Sequence, residues 1–513
     1  MRNSIDPVLL EIAWTRLVSA VDEAAATFVR ASFSNLVREA NDFAVVLTDA
    51  EGRSLAQSSK SIPSFIGTLP ASIKHFLRKF PPATLRPGDV LFTNDPWMGS
   101  GHIHDVTLAT PIFRHGELVA FAGITSHMPD IGGRLRSSGI RELYEEGLQI
   151  PMLKLAEAGV VNEAIVAFIR QNVRVPDATM GDIWGQVAAC RKCAERLDDL
   201  LDETDLSLKT LGDEIIGRSE AAMRAAIRAL PDGEYRYTIL HDGFEERITI
   251  ASTVRVAGDR IAIDYTGSSP QLPRAVNVVP IYTFAYTAYG VKALLCPEIP
   301  NNEGSFLPIS TSAPEGSLLN PRYPAASGAR GMIGHLLPVA LMGALADVLP
   351  DRIWAPGSAN SGMTIAGEHK GRRYAAVYFF NAGQGASRAR DGYSALSFPS
   401  NLSNTPIEVI EGEAPLRVQA RRLRRGSGGA GGRRGGDGIE FTFDFVGETP
   451  AVCSFIMTRL KVPPPGVQGG ASGAPGQILI NDRAIDPTEH LLLKAGDRVT
   501  VRTAGGGGFG PPA

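Results

Sequence analysis

Apolar residues between positions 6 and 31 recur every three or four residues, directly after Asp6 and Pro7. This period predicts an amphipathic helix that Asp6 caps, because proline fits the first helical turn. The period then changes to that of short strands and returns to that of a helix. The predicted elements are a strand over residues 43–48, a turn over 49–52, a returning strand over 53–57 and a helix over 66–80.

The centre of the N-terminal third holds two apolar runs, residues 106–113 and 118–125, separated by the sequence Arg-His-Gly-Glu. Runs of this length around a short Gly-containing connection predict a β-hairpin. Both runs are apolar on both faces, which is typical of strands buried inside a domain. We therefore expect this hairpin to lie at the centre of a buried sheet.

The open end of the hairpin collects polar residues that lie more than twenty positions apart. A turn centred between residues 115 and 116 would place His104 opposite His127 and Asp105 opposite Ser126. Polar groups that emerge together from a buried strand pair need partners or a ligand. The pattern therefore predicts a functional site at this end.

The rest of the chain changes from helical to strand-rich and then to loop-rich composition. Helices are predicted over residues 162–172, 180–230, 277–295 and 333–349, and strands over 233–240, 247–256, 260–265, 374–380, 439–445 and 498–503. We expect an α+β fold of several domains: an N-terminal α/β part built on hairpins, a helical middle, and a β-rich, loop-heavy C-terminal part. The predicted divisions are residues 1–150, 151–230, 231–400 and 401–513.

Composition and charge indicate which partners and which location to expect. The 513 residues carry a net charge of −3, with 44% hydrophobic residues and no long apolar run. We therefore expect no nucleic-acid partner, no membrane span and a cytoplasmic location, since no signal peptide is recognisable. The Arg-rich segment 421–438 lacks aromatic residues, which argues against RNA binding. Cys190 and Cys193 lie in a helical stretch without a second pair, so we assign them no chemistry.

Two copies of the spacing His-x-x-Asp give the site its candidate chemistry: His102 with Asp105, and His127 with Asp130. Imidazole and carboxylate ligands without thiolates suit a catalytic divalent ion better than a closed structural zinc site. The predicted metal ligands are His102, Asp105 and His127, with Glu39 as a candidate fourth.

Two positions stay open at this point. His104 is an alternative to His102, because a bulge in the strand would exchange them. Asp130 is either a ligand or a partner that orients His127. The residues could also be structural, and the reaction is not specified by these side chains alone.

Three further residues are candidates for substrate binding. Asn94 and Asp95 end a predicted strand near the site, where their side chains would bind substrate or form an Asx-turn. Arg330 lies in a Gly-rich segment that we expect to form an ordered loop around a site.

Several motifs resemble those of the hydantoinase B/oxoprolinase family, which includes the α subunit of acetone carboxylase. The resemblance extends over nearly the whole chain. The matching segments are GDVLFTNDPWMGSGHIHDVTLATPIF, SHMPDIGG, REANDFAVVLTDAEGRSLAQ, NPRYPAASGAR, FPSNLSNTPIEVIE and TAGGGGFG.

This resemblance implies a B-type subunit of an ATP-dependent hydantoinase or 5-oxoprolinase-like enzyme. An A-type partner with an actin-like kinase fold would use ATP to phosphorylate a cyclic amide, which this chain would then open by hydrolysis. The implied cofactor is a divalent metal, manganese before zinc or iron, on His102, Asp105 and His127 with Glu39. Asp130 or His104 would handle protons. The chain lacks the GxxxxGK[ST] loop, so ATP would bind to the partner.

Two other functions remain open. The chain could be an acetone carboxylase-like subunit that uses the same metal to carboxylate an enolate, or a non-catalytic assembly subunit. The sequence also departs from the family pattern at three places: Ser100 precedes Gly101-His102, His104 replaces a common proline, and Met128 replaces a frequent histidine. These departures affect the walls of the site, so the family does not define the substrate.

Overall fold

The N-terminal helix forms as its sequence pattern predicts. A computed structural model describes residues 5–204, 206–359 and 361–512. Its first helix, α1 (Pro7–Ala31), starts with the Asp6 side chain accepting hydrogen bonds from the backbone of Val8 and Leu9. This cap satisfies amide groups that the first helical turn leaves unpaired.

The first part of the chain builds a seven-stranded sheet. After α1 come α2 (Asn35–Arg38), β1 (Phe43–Asp49), β2 (Ser54–Gln57), α3 (Phe65–Lys79), β3 (Val90–Thr93), β4 (Asp105–Arg114), β5 (Glu117–His127), α4 (Leu143–Glu146), β6 (Leu153–Glu157) and β7 (Val160–Val161). The strand order is β2-β1-β5-β4-β3-β6-β7. All neighbouring pairs are antiparallel.

The helical middle follows as α5 (Glu163–Asn172), α6 (Pro176–Thr204) and α7 (Leu208–Arg228). Helices α1 and α6 pack on one face of the seven-stranded sheet, and α3 packs on the other. This burial on both faces explains why β4 and β5 lack an alternating pattern of apolar and polar residues. The helical region predicted over residues 180–230 is two helices, and residue 205 lies outside the described residues.

The hairpin turn is predicted correctly, but the register is not. Arg114 pairs with Glu117 across a two-residue turn, whereas Asp105 lies opposite His127, not Ser126. The register shifts by one residue between Ile112 and Phe113, where the returning strand carries one extra residue. Such a bulge exchanges the residues that face each other beyond it.

A second, four-stranded sheet and a group of helices share the next core. The elements are β8 (Gly233–His241), β9 (Ile248–Ala257), β10 (Arg260–Asp264), α8 (Pro280–Leu295), β11 (Ile309–Ser312), α9 (Gly331–Gly334) and α10 (Leu337–Ala344). The sheet order is β11-β10-β9-β8. The single helix predicted over residues 333–349 is wrong, because α9 and α10 are separate helices. Pro338 lacks an amide hydrogen and fits the first turn of a helix, so a new helix begins at Leu337.

Two packed sheets form the last part of the molecule. The elements are β12 (Ser361–His369), β13 (Arg372–Phe380), α11 (Ile407–Glu413), β14 (Leu416–Leu423), β15 (Ile439–Phe445), β16 (Ala451–Ile456), β17 (Gln477–Ile480), β18 (Arg483–Ala484), β19 (Leu491–Leu493) and β20 (Arg498–Arg502). Their orders are β13-β12-β16-β19 and β14-β15-β20-β17-β18. Both sheets contribute to one apolar core.

The predicted α+β class is confirmed, because helices and four separate sheets make up the molecule. The sheets cross two of the predicted divisions: β6 and β7 lie beyond residue 150, and β12 joins β16 across residue 400. Within the described residues, no helix is both long and apolar enough to cross a bilayer. Cys190 and Cys193 are buried and free in α6, where burial raises the pKa of both thiols.

Candidate metal centre

Three acidic and imidazole side chains form one row across the ends of neighbouring strands. Strand β5 ends at His127, which pairs with Asp105 at the start of β4. On its other side, β5 pairs with β1, and the backbone carbonyl of Asp42, the residue before β1, accepts a hydrogen bond from the His127 amide over 3.1 Å. The sheet register therefore brings residues 42, 105 and 127 together.

His102 completes the cluster from the loop before β4. Its Nε2 lies 2.8 Å from Asp105 Oδ1, and His127 Nδ1 lies 3.0 Å from the same oxygen. One ligand atom from each of the three side chains lies within 4.8 Å of the others, and all three residues are buried. These side chains could therefore hold one metal ion.

Asp105 is fixed by groups outside the triad. Its Oδ2 accepts hydrogen bonds from Ser100 Oγ and Arg330 Nη2, each over 2.7 Å. Arg330 also donates through Nε to the Ser100 carbonyl, and its guanidinium lies 4.2 Å from the centre of the Tyr282 ring. Oδ2 is thus occupied, which leaves Oδ1 turned toward the two histidines.

The electrostatics favour a neutral His102 beside an ionised Asp105. Burial and the nearby Arg330 guanidinium hold the pKa of His102 well below its ordinary value. Burial alone would raise the pKa of Asp105, but His102 and Arg330 hold it well below its ordinary value. Metal ions bind the deprotonated forms of both groups, so the site favours ligands in the binding state.

The donor set fits a divalent cation. The His102 Nδ1 lies 3.2 Å from the Gly328 carbonyl oxygen, which directs Nε2 away from that contact. The buried Nε2 atoms of His102 and His127 have no hydrogen-bond partner; for His102 the approach to Asp105 is close but poorly directed. Buried polar atoms without partners are costly. Coordination of an ion would satisfy them.

A small cavity of about 50 Å³ adjoins the triad. Three parts of the chain contribute to its wall: the N-terminal part with the seven-stranded sheet, helices α8 and α9 with the residues beside α9, and residues of the C-terminal part. Besides the triad, the polar lining residues are Asp42, Ser64, Arg136, Tyr282, Tyr286, Arg330, His335 and Ser400.

Glu39 and Asp130 lie outside this cluster. Glu39 ends the short helix α2, whereas Asp42, three residues later, lines the cavity. The Asp130 carboxylate accepts hydrogen bonds from the Arg174 side chain over 2.7 Å and from the Arg174 and Gly132 amides. The structure therefore assigns Asp130 a role in fixing a loop and gives Glu39 no contact with the triad.

The side chains of Asn94 and Asp95 also form hydrogen bonds with backbone groups. Asn94 donates to the carbonyls of Ile103 and Leu148 and accepts from the Ile150 amide. Asp95 accepts from two amides that follow it, as an Asx-turn does. Of the predicted substrate-binding residues, only Arg330 lies at the cavity.

His104 lies beside the triad without lining the cavity. Its ring is stacked on that of His127, with 5.6 Å between the centroids, and its Nδ1 has no hydrogen-bond partner. Glu146, which sequence reasoning misses, accepts hydrogen bonds from the amides of Ser327 and Gly328. Burial raises the pKa of Glu146 to about 7.

Sequence reasoning also misses Asp42, although its position directly before a buried strand is a usable signal. Once β1 is paired with β5, that position faces the hairpin end that holds His127. The cavity residues Arg136, Tyr282 and His335 have no such signal, because they reach the site only through the packing of separate parts.

Comparison with known proteins shows which family the chain belongs to. The family model described as hydantoinase B/oxoprolinase matches residues 6–512. The chain belongs to this family. It is 31% identical to a chain from Pseudomonas sp. (strain NS671) that is provisionally named as the B-type subunit of a D-/L-hydantoinase, over 99% of this chain and 91% of that one. It is 30% identical to the beta subunit of caprolactamase from Pseudomonas jessenii, over 99% and 92%.

Solved structures confirm the fold of this hydantoinase B/oxoprolinase chain. The ATP-dependent caprolactamase from Pseudomonas jessenii matches with a TM-score of 0.87 and 27% identity, over 99% of this chain and 92% of that one. A nucleotide-free acetone carboxylase structure matches with a TM-score of 0.90 at 20% identity, over 98% and 76%. At that lower identity the likeness concerns the fold alone.

Proposed function

We propose that this chain is the B-type subunit of an ATP-dependent enzyme that opens a cyclic amide by hydrolysis. Two relatives, 31% and 30% identical to this chain, are named as subunits of a hydantoinase and of a caprolactamase. Hydantoins and caprolactam share one chemical feature, an amide bond closed into a ring. The proposed substrate class is therefore a small cyclic amide.

The observation that carries this proposal is the buried triad of His102, Asp105 and His127 beside a cavity. Its imidazole and carboxylate donors fit manganese, zinc or iron. A divalent ion held there would lower the pKa of water and polarise a carbonyl oxygen. Asp42 adds a second carboxylate to the same wall, and burial raises the pKa of this group to about 6.

The neighbouring residues orient this triad. Ser100 and Arg330 hold Asp105 in place through Oδ2. We assign His104 the relay of protons from behind the cavity wall, because its ring is stacked on that of His127 and its buried Nδ1 has no hydrogen-bond partner. The small volume of the cavity excludes bulk water, which strengthens every electrostatic contact inside it.

We further propose that activation of the amide takes place on a partner. The two bacterial relatives are each named as one subunit of an enzyme, and the caprolactamase is named ATP-dependent. This chain lacks a GxxxxGK[ST] segment. An A-type partner with a kinase fold would therefore bind ATP and phosphorylate the amide oxygen, in a hetero-oligomer with this chain.

The test is reconstitution of the purified chain with its A-type partner, ATP and a set of cyclic amides: hydantoin, 5-oxoproline and caprolactam. We expect ring-opened product and ADP only when both chains and the metal are present. Isotope-labelled bicarbonate in the same assay separates the carboxylase alternative, because incorporated label would contradict hydrolysis. Full activity of a demonstrably metal-free preparation would contradict a catalytic role for the triad.

A further inference from the structure

A second cavity, of about 600 Å³, lies apart from the metal centre. Its wall comes from the connection between β8 and β9, from residues 274 and 332, and from loops of the C-terminal sheets. Ser138 and Met332 belong to this wall, and each lies two residues beyond an arginine, Arg136 or Arg330, of the metal cavity. The volume is within the range of natural small-molecule sites.

The free hydrogen-bonding groups of this wall are donors. His241 is buried and accepts a hydrogen bond from the Gly243 amide through Nδ1 over 3.3 Å. A neutral imidazole in that state carries its proton on Nε2. This Nε2 has no partner, and neither does the buried Nε of Arg274.

Lys461 adds a third donor, and its side chain makes no hydrogen bond with any described residue, although its amide donates to Asp242. The Arg459 guanidinium lies behind this wall, almost fully buried. Donors that converge without acceptors indicate a ligand that supplies acceptors.

Each of the three carboxylates in the wall already accepts at least one hydrogen bond. The Asp242 carboxylate accepts hydrogen bonds from the amides of Leu460, Lys461 and Val462, at 2.6 to 2.9 Å. Asp486 accepts from the Thr488 amide and hydroxyl. Glu245, largely exposed, accepts from Arg274 Nη2 over 3.0 Å. Arg274 Nη2 is thus paired with Glu245, whereas Arg274 Nε and His241 Nε2 have no acceptor.

Much of the remaining wall is apolar, although Ser138, Gln477 and Thr488 also line it. Phe244, Met332, Met457, Leu460 and Ile485 line the cavity, and the Arg274 guanidinium lies 5.4 Å from the centre of the Phe244 ring. An apolar pocket with a few convergent polar groups is typical of sites that bind a small organic molecule in one orientation.

We propose that this cavity is a second ligand site, which takes a small carboxylate with an apolar body. The carboxylate oxygens would accept from His241, Arg274 and Lys461, and the body would pack against the aromatic and methionine side chains. A ligand bound here would contact the segment that carries Arg330, the residue that fixes Asp105.

Calorimetric titration with 4-phenylbutyrate, 4-phenylbutan-1-ol and 4-phenylbutan-1-amine tests this proposal on the full-length chain. The three probes share one apolar body and differ in the end group. We expect saturable one-to-one binding of the carboxylate, at least about tenfold tighter than the alcohol, and no binding of the amine. Arg274→Gln and Lys461→Gln should each weaken binding of the carboxylate probe about tenfold or more.

Two control variants make the result specific. Arg322→Gln removes an exposed arginine that pairs with Glu315 outside the cavity, and should leave binding unchanged. His102→Ala alters the metal centre and should also leave binding unchanged, which separates this site from the proposed catalytic function. Absence of saturable binding, equal binding of the amine, or loss of binding in His102→Ala but not in folded Arg274→Gln would overturn the proposal.

Discussion

At the scale of single residues, the candidate metal centre depends on which acidic side chain reaches the hairpin end. Glu39 and Asp42 are three positions apart, and both precede strand β1. Only Asp42 occupies the row that continues through His127 to Asp105, because strand pairing fixes its position. Glu39, by contrast, directly follows helix α2 as its C-cap. The choice between them is a matter of register that composition does not reveal.

We predict that Asp42→Asn weakens metal binding about tenfold or more, because it removes a buried negative charge beside the ion. Glu39→Gln is the matched control and should retain the metal at the native level. Equilibrium dialysis with manganese or zinc, followed by elemental analysis, measures both. Weaker metal binding by Glu39→Gln than by Asp42→Asn would contradict the position that we give to Asp42.

Arg330→Lys tests the proposed positioning of Asp105. Lysine retains the positive charge but lacks the planar fork whose separate nitrogens donate to Asp105 and to the Ser100 carbonyl. We predict that kcat with the A-type partner falls about ten- to a hundredfold while the chain stays folded. Arg322→Lys, on the exposed part of the same segment, should leave kcat unchanged. Equal kcat values for the two variants would argue against this role.

At the scale of elements, the hairpin turn requires a backbone that alanine adopts poorly. Gly116 has φ of +84°, and a Cβ there would meet no neighbouring atom, so any cost comes from the backbone alone. Gly217 is the opposite case, because it lies exposed in helix α7 and also has open space for a Cβ.

We predict that Gly116→Ala lowers the free energy of unfolding by about 1 kcal/mol, whereas Gly217→Ala raises it by about 0.5–1 kcal/mol. Urea denaturation followed by circular dichroism measures the shift of the midpoint for each variant. Shifts in the same direction would mean that the turn does not impose its left-handed conformation.

The hairpin also indicates how far sequence reasoning extends. The two apolar runs and the turn at residues 115–116 are local features, and they are predicted from the chain alone. The extra residue opposite Ile112 is not, because a bulge is decided by packing on both faces of the sheet. The single shift changed the partner of His127 from His104 to Asp105, so the region of the site was predictable but its contacts were not.

At the scale of the whole molecule, the cavity wall requires three parts of the chain to pack together. The triad lies in the N-terminal part, but Tyr282, Arg330 and His335 come much later in the chain, and Arg330 is 225 positions from Asp105. No sequence period connects such residues, which explains why Arg330 was predictable only as a loop candidate. Asn94 and Asp95 are the opposite case: they are close to the site in sequence and were predicted to bind substrate, but their side chains form hydrogen bonds with the backbone.

The stability of the molecule should also depend on Glu413, the half-buried last residue of helix α11, which accepts a hydrogen bond from the Tyr378 hydroxyl of strand β13. Burial raises the pKa of Glu413 from 4.5 to about 7. A raised pKa means that the folded state binds the proton more tightly. This contribution to stability is therefore complete below pH 4.5 and is lost as the pH rises to about 7.

We predict that Glu413→Gln removes this loss, so that its stability relative to the native chain increases by about 2 kcal/mol across that interval. Thermal unfolding measured at several pH values compares the variant with the native chain. Glu408→Gln, an exposed position in the same helix, is the control and should follow the native profile. Parallel profiles for native and Glu413→Gln would show that this carboxyl group is not perturbed.

The central claim is that the hairpin end holds a divalent metal ion, and elemental analysis of the purified chain tests it most directly. The native protein and the double variant His102→Ala, His127→Ala would be reconstituted with manganese, zinc or iron and then freed of unbound ions. We predict close to one metal ion per native chain and its loss from the double variant. Metal retained in the double variant, or absent from the reconstituted native chain, would contradict the claim.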